Sequence, residues 1–418
     1  MSDREFAGFD VDTIADAVRQ PPLDNLRSAA KSRRRYRTGG VGVALVVFAG
    51  MAVLPLAGGT RGMDWAAPTP LPQARDRATQ LFMTGPDSGV GVEQVDFGCT
   101  VRFTHTEDGG RSWTDYDAAQ YRATNCRVNE SGNNESGNKA ADMEFSVLGQ
   151  RSYLVLDGDK SRLSTDYGRT WRDAEQAMVT VSAFPPKARA VVCQQGCGAI
   201  RQPLAVNPST GTVYRLSGKP ASPYPPYSIY PSADGAIWAT YWPGDPDVMI
   251  VARSVDQGAT WNTWRPVKGA DVIAIAGVNQ REAYLLIEPP PPPGAQPMER
   301  KGASQLLHTT DGGVTWKDVG TDLPASPEHR PFTIGSDGSL LIAQSGNMTP
   351  NLTSSLLVSR DGGRHFTASR EYDRLDGAVG AAPGIAWLYG RDDMSATGAD
   401  HVVITPDGSS WTRFDLPY

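Results

Sequence analysis

The chain has 418 residues, with 40 Lys+Arg against 46 Asp+Glu and a formal net charge of −6. An acidic balance argues against a nucleic-acid-binding protein, which needs a basic surface. The 44 glycines and 32 prolines favour a turn-rich all-β chain over a helical bundle.

Residues 1–38 form a basic tail of eight Lys/Arg and six Asp/Glu, net +2, leaving −8 for the remainder. Val11, Ile14, Val18, Leu23 and Leu26 space loosely as one apolar face, interrupted by Pro21-Pro22. The bland reading is a cytoplasmic tail without fixed structure. The sharper one is a tail that contacts a cytoplasmic partner, which would make the chain an envelope sensor. No charge occurs between Arg37 and Arg61, and residues 39–57 are almost wholly apolar. About 19 residues at ~1.5 Å each cross a hydrocarbon core of ~30 Å, so this stretch is read as a single transmembrane helix. Lys31, Arg33, Arg34, Arg35 and Arg37 precede it. The positive-inside rule then puts the N-terminus in the cytoplasm and the bulk of the chain outside. A second reading is a twin-arginine export signal cleaved near Ala57-Gly58-Gly59. The preceding residues are long for a signal peptide, so the uncleaved anchor is preferred. Residues 58–76, with Pro68, Pro70 and Pro72, read as a semi-rigid linker.

The long segment 77–418 carries six copies of one short pattern. Thr106-Glu107-Asp108-Gly109-Gly110-Arg111-Ser112-Trp113 is the first, followed by copies centred on Asp166, Asp256, Asp311, Asp361 and Asp407. The shared form is Ser/Thr-x-Asp-x-Gly-x-Thr/Ser-Trp. The fifth copy ends in His365-Phe366, and the sixth is one residue short at Ser410-Trp411. Apolar β-prone runs such as Leu306-Leu307 precede the copies, which places the pattern at hairpin turns. There the Asp accepts backbone N–H groups of its own turn. The glycine supplies φ > 0. The Trp opens the next strand with a large packing face. The six Asp residues are therefore structural. Their steps of 58, 90, 55, 50 and 46 residues are those of a repeat architecture. The long step holds Leu204-Ala205-Val206-Asn207-Pro208-Ser209-Thr210-Gly211-Thr212-Val213-Tyr214, read here as strand, turn, strand and as a degenerate copy. That makes seven blades, with six plus a large insertion as the alternative.

This pattern resembles the Asp-box, or bacterial neuraminidase repeat. The resemblance implies an all-β, sialidase-like β-propeller, with the motif between the third and fourth strands of each blade, in a membrane-anchored bacterial member. It does not specify a function, since sialidases, other glycosidases, photosystem assembly factors and sorting receptors share the repeat. The sialidases of this family grip a sugar carboxylate with three arginines, the first in a Phe/Tyr-Arg-Ile-Pro motif. Here Arg102 stands in Thr100-Val101-Arg102-Phe103, and Arg201-Gln202-Pro203 is a distant echo. The signature is missing, so the chain is read as leaning away from catalysis. A diverged glycoside hydrolase or lyase is the runner-up, and Asp245, Asp247, Asp271, Glu282 and Glu288 are carboxylates outside the repeats.

Four cysteines remain, in an exported segment where disulfides are permitted. Cys193-Gln194-Gln195-Gly196-Cys197 favours a local bridge, leaving Cys99 for Cys126. The five histidines show no metal-ligand spacing, and no phosphate loop, nucleophile elbow or cofactor motif occurs. Residues 129–138 and the run from Pro289 to Pro293 are polar and polyproline insertions. The best recognition segment is Ser222 to Pro231. Tyr224, Tyr227 and Tyr230 recur every three residues, so a polyproline helix would align them on one side, with Trp238 and Trp242 on the strand that follows. The rival reading packs them on the blade beneath. The expectation is a non-catalytic, cofactor-free propeller that binds a protein or glycan at the cell envelope through these aromatics.

Overall fold

A computed structural model describes residues 80–417 except 96–97, 115, 125, 127–142, 195, 219–221, 242–248, 266–269, 291–302, 325–330, 345–352, 374–378 and 393–398. The expected tail, transmembrane helix and linker, the insertion at 129–138 and most of the proline run lie outside these residues. Among those described, no helix is long and apolar enough to cross a membrane. Both expected disulfides are present, Cys99 to Cys126 and Cys193 to Cys197.

The described chain folds into seven four-stranded sheets, the blades of a β-propeller. Blade one is Gln80–Met83, Gly89–Val95, Thr100–Thr106 and Gln120–Arg122. Blade two is Met143–Gly149, Ser152–Asp157, Lys160–Ser164 and Arg172–Asp173. Blade four runs from Pro226–Pro231 through Ile237–Tyr241 and Ile250–Ser254 to Asn262–Trp264. Blade five is Asp271–Gly277, Ala283–Glu288, Gln305–Thr309 and Lys317–Asp318. Blade six is Phe332–Ile334, Leu340–Gln344, Thr353–Ser359 and Thr367–Asp373. Blade seven is Val379–Ala382, Ile385–Gly390, His401–Thr405 and Thr412–Asp415. In these six blades the strands pair antiparallel in chain order, the topology that short hairpin turns allow.

Blade three departs from this pattern. Its order is Arg189–Ala190, Leu204–Val206, Val213–Leu216 and then Val179–Val181, which pairs parallel to Val213–Leu216. The outer strand thus comes from upstream, delivered by a short helix, Ala174–Ala177, capped by the Asp173 carboxylate. The stretch 204–214 is a hairpin, as expected, but it is not a degenerate repeat. It joins the two middle strands, with Asn207 Oδ1 accepting from the Ser209 N–H and Oγ. No returning strand follows Leu216 in this sheet. Seven blades therefore stand on six repeat turns.

The core lies between blades. The middle strands, such as Ile237–Tyr241 and Ala283–Glu288, are buried on both faces, so each sheet is covered by its two neighbours. One cluster joins blades four, five and six through Trp238, Leu286 and Phe332, and another joins blades two, three and four through Leu154, Leu204 and Ile229. Blades one and two meet where Phe103 stacks on Tyr153, ring centroids 4.5 Å apart.

The ring closes without exchanging a strand among the described residues. Leu81 of blade one sits among Trp387, Tyr389, Val402 and Phe414 of blade seven, and its N–H donates to the Tyr389 hydroxyl at 2.7 Å. Trp113 Nε1 donates to the Asp415 carbonyl at 3.0 Å, its ring edge-on to Phe414. Gly110 allows this approach, because a side chain there would collide with the Asp415 backbone. Leu81→Ala, at a residue 4% exposed, is expected to cost about 2–5 kcal/mol. The loss is read as a lower denaturant midpoint. An unchanged midpoint would show that closure does not rest on this contact.

Candidate functional site

The repeat turns come first, since they hold all six motif carboxylates. Asp311 Oδ1 accepts from the Thr309 hydroxyl at 2.9 Å and the Thr315 N–H at 2.9 Å, while Oδ2 accepts from the Thr315 hydroxyl at 2.6 Å. The Thr309 oxygen accepts in turn from the Gly313 N–H. Asp108, Asp166 and Asp256 repeat the arrangement with Ser112, Thr170 and Thr260. At the seventh position of Asp361's turn, His365 replaces the hydroxyl. The His365 N–H still reaches Asp361, while its Nδ1 lies 3.4 Å from Asp322. Asp407 accepts from the Ser409 and Ser410 N–H groups. The motif glycines take φ between +74° and +91°.

These bonds favour the ionised carboxylates. The Ser112 hydroxyl, then its N–H, hold Asp108 down to about 2, and the Thr315 hydroxyl and N–H do the same for Asp311. The Ser410 and Ser409 N–H groups also hold Asp407 below the usual carboxylate range. A carboxylate saturated by its own turn is unsuited to acid–base work near neutral pH.

The concave candidate is the central channel, about 1960 Å³, lined by the innermost strands of the blades. Its charged lining side chains are Asp87, Glu144, Arg151 and Arg189. Glu144 is 2.7 Å from Arg201, and Arg151 donates to the Thr165 and Ser209 carbonyls. The remaining lining is mostly apolar, with Phe145, Ile334, Val379 and Trp387 among it.

The aromatic recognition segment is rearranged relative to expectation. Residues 226–231 form a strand paired with 237–241, not a polyproline helix. Tyr227 falls in a register shift between Pro226 and Ser228, while Tyr230 pairs in register with Trp238. Tyr230 is 2% exposed, and its hydroxyl meets Thr333 Oγ1 at 2.9 Å, bracing blade four to blade six across the ring. Trp238 is 1% exposed, edge-on to Trp316, with Nε1 donating to the Asn279 carbonyl. Both are interior residues, because the apolar faces of blades four and five need covering. Tyr224 is 40% exposed and Tyr227 is half-buried. Trp242 lies outside the described residues, as do Asp245 and Asp247. Of the other carboxylates outside the repeats, Glu282 pairs with His308 at 3.0 Å, and Asp271 stands opposite Glu288 in blade five.

Two constellations went unseen in the sequence. Asp392, Asp400 and His401 bring their ligand atoms within 4.8 Å of one another. Arg413 supplies the balancing charge, at 2.7 Å from Asp392 and 2.6 Å from Asp415, and these carboxylates raise its own pKa, Asp415 foremost. The group is an ion-pair network at the outer edge of blade seven. The second is the loop bridged by Cys193 and Cys197. Cys193 exchanges both backbone hydrogen bonds with Ile229, and the Gly196 N–H donates to the Tyr227 carbonyl at 2.8 Å. The two cysteines signalled a closed loop, but nothing in the spacing said where its tip would rest.

No protein-family model matches the chain, and no curated protein matches it. Solved structures match in fold. YCF48 bound to D1 peptide is 11% identical with a TM-score of 0.37, the match covering 81% of this chain and 93% of that one. A GH74 enzyme from Niastella koreensis is 11% identical with a TM-score of 0.32, covering 78% and 63%. The Hadza microbial sialidase Hz136 is 15% identical with a TM-score of 0.35, covering 81% and 65%. Binders and enzymes alike share the propeller.

Two expectations follow. The depressed folded-state values of Asp108 and Asp311 mean that their ionised forms stabilise the fold above the ordinary carboxylate pKa of about 3.9. This contribution is lost as pH falls from there toward about 2. Asp311→Asn should flatten the loss of stability between pH 4 and 2, followed by the denaturant midpoint; an unchanged slope would exclude that carboxylate as a contributor. Separately, Tyr230→Phe removes the hydroxyl that meets Thr333 and should cost about 1–2 kcal/mol. The check is thermal unfolding beside Tyr224→Phe, which should be silent.

Proposed function

We propose that this chain is a membrane-anchored, extracytoplasmic propeller of the Asp-box kind that binds a protein or glycan ligand at the cell envelope and does no chemistry on it. The supporting observation is the commitment elsewhere of the repeat carboxylates and of Glu144 and Arg151, two of the four charged side chains that line the channel. The repeat carboxylates are spent on their turns, Glu144 is paired with Arg201 and Arg151 is bound to carbonyls. What remains available near the channel mouth is contact surface. Tyr224 is an exposed aromatic on the chain leading into the innermost strand of blade four, two residues past the Ser222 hydroxyl that caps its N–H. Three residues on, Tyr227 accepts at its carbonyl from the Gly196 N–H of the disulfide loop. Tyrosine presents area at low entropy cost, and loops on a rigid ring are a common contact surface. The apolar stretch 39–57 and its basic flank supply the anchor and its orientation.

The test uses the full chain. After carbonate washing it is expected to stay in the membrane fraction. In detergent it should show no turnover of chromogenic sialosides or common glycosides. On glycan arrays and in envelope cross-linking it should capture a ligand that Tyr224→Ala weakens about tenfold or more. Turnover abolished by Glu144→Gln would make the chain an enzyme. Capture undiminished by Tyr224→Ala would remove that face from the interface.

A further inference from the structure

The disulfide loop does more than lie beside blade four. Cys193, Gln194, Gly196, Cys197 and Gly198 all line the channel. From blade three the loop holds neighbours on three sides. Towards blade two, the Ser146 hydroxyl donates to the Cys197 carbonyl at 2.7 Å and accepts from the Ala199 N–H at 2.9 Å. Towards blade four, it pairs with Ile229 and Tyr227. Across the ring, the Gln194 carboxamide donates to the Phe332 carbonyl at 2.9 Å and accepts from the Phe332 N–H at 3.0 Å. Phe332 opens the innermost strand of blade six, which is not a neighbour of blade three. One side chain thus stands in for a strand, satisfying both polar groups of a backbone that borders the channel.

We propose that the loop is a disulfide-latched plug across the channel, opened by reduction of Cys193–Cys197. The latch is local. The bridge spans only four positions of sequence, whereas Cys99–Cys126 spans 27, so it constrains the loop far more than the fold. It is also reachable. Cys193 is half-buried beside exposed Gly196 and Gly198, with Cys197 buried behind it. Cys99–Cys126 likewise joins a buried to a half-buried cysteine, so it is the span, not exposure, that sets the two bridges apart. The loop is held in an unusual path, with Gly196 at φ +111° and Gly198 at +54°, where a side chain would strike the Phe145 carbonyl. Once the bridge is cut, both glycines are free to leave these conformations, and a few neutral hydrogen bonds, two from Gln194 and one from the Gly196 N–H, are left to order the tip. The chemistry is thiol–disulfide exchange with a dithiol. Its thiolate attacks one sulfur, the other leaves as a thiolate and takes a proton, and the second thiol of the reductant resolves the mixed disulfide. Two electrons and two protons pass to the protein, and the dithiol becomes a disulfide. The inference holds whatever ligand the propeller binds.

The experiment is hydrogen exchange by mass spectrometry on the full chain, oxidised and after graded treatment with dithiothreitol, with thiols mapped by alkylation. Cys193 and Cys197 should be alkylated before Cys99 and Cys126. Exchange at residues 193–199 and at the Phe332 amide should then rise about tenfold or more, with the outer strands of the other blades unchanged. The double variant Cys193→Ser/Cys197→Ser should reproduce this without reductant. Gln194→Ala, with the bridge intact, should release the Phe332 amide alone. Protection at Phe332 that survives both reduction and the double serine variant would overturn the proposal. So would equal acceleration in every blade, or alkylation of Cys99 first.

Discussion

A β-sheet with two apolar faces needs a neighbour on each side, and in a ring the last sheet has only the first to turn to. The whole architecture hangs on that meeting between blade seven and blade one. It is made by Leu81 entering the blade-seven core, by its N–H on the Tyr389 hydroxyl, and by Trp113 reaching the Asp415 carbonyl. No shared strand bolts the described ring shut, so side-chain packing carries the closure. The repeat turns serve this end. By absorbing the orphan N–H groups of each hairpin in one carboxylate, they fix how the fourth strand leaves the third. They also set the following Trp over the junction between sheets, as Trp171 does beside Phe103.

Blade three shows what happens where the repeat is missing. Without a capped turn to return the chain, the outer strand is recruited from upstream in parallel orientation. The chain between Arg189–Ala190 and Leu204–Val206 is thereby left to run inward instead of around the rim. That segment is the disulfide loop, and its tip occupies the channel. The irregular outer strand and the inward disulfide loop thus both belong to the one blade that has no repeat turn.

The same geometry shapes the functional reading. A propeller channel can host catalysis when charged groups converge on it. Here Glu144 and Arg151 are turned to partners of their own, and a Gln side chain and a Tyr hydroxyl span the ring to blade six. Interior room is thus used in part for bracing, while Tyr224 stays exposed. A propeller scaffold by itself does not choose between binding and catalysis.

The sequence by itself determined the elements whose causes are local. A Ser/Thr-x-Asp-x-Gly turn is closed by atoms within seven residues, so its structure is written in the repeat, and the six repeats in turn pointed to an all-β ring. The count of seven was reached through a hairpin at 204–214 that is not a repeat turn. The two disulfide pairings were legible for the same reason, one of them spanning only four positions. Tertiary structure alone decided the rest, because it depends on which faces meet. Tyr224, Tyr227 and Tyr230 look equivalent at a spacing of three. Pairing of 226–231 into a strand gave them different surroundings and sent Tyr230 to Thr333, 103 residues away. Asp392, Asp400, His401 and Arg413 form a cluster only because strand register in blade seven sets them side by side. Gln194 finds Phe332 across 138 residues. No local pattern encodes such distances, since the free energy that fixes them comes from covering the remaining apolar faces of the ring.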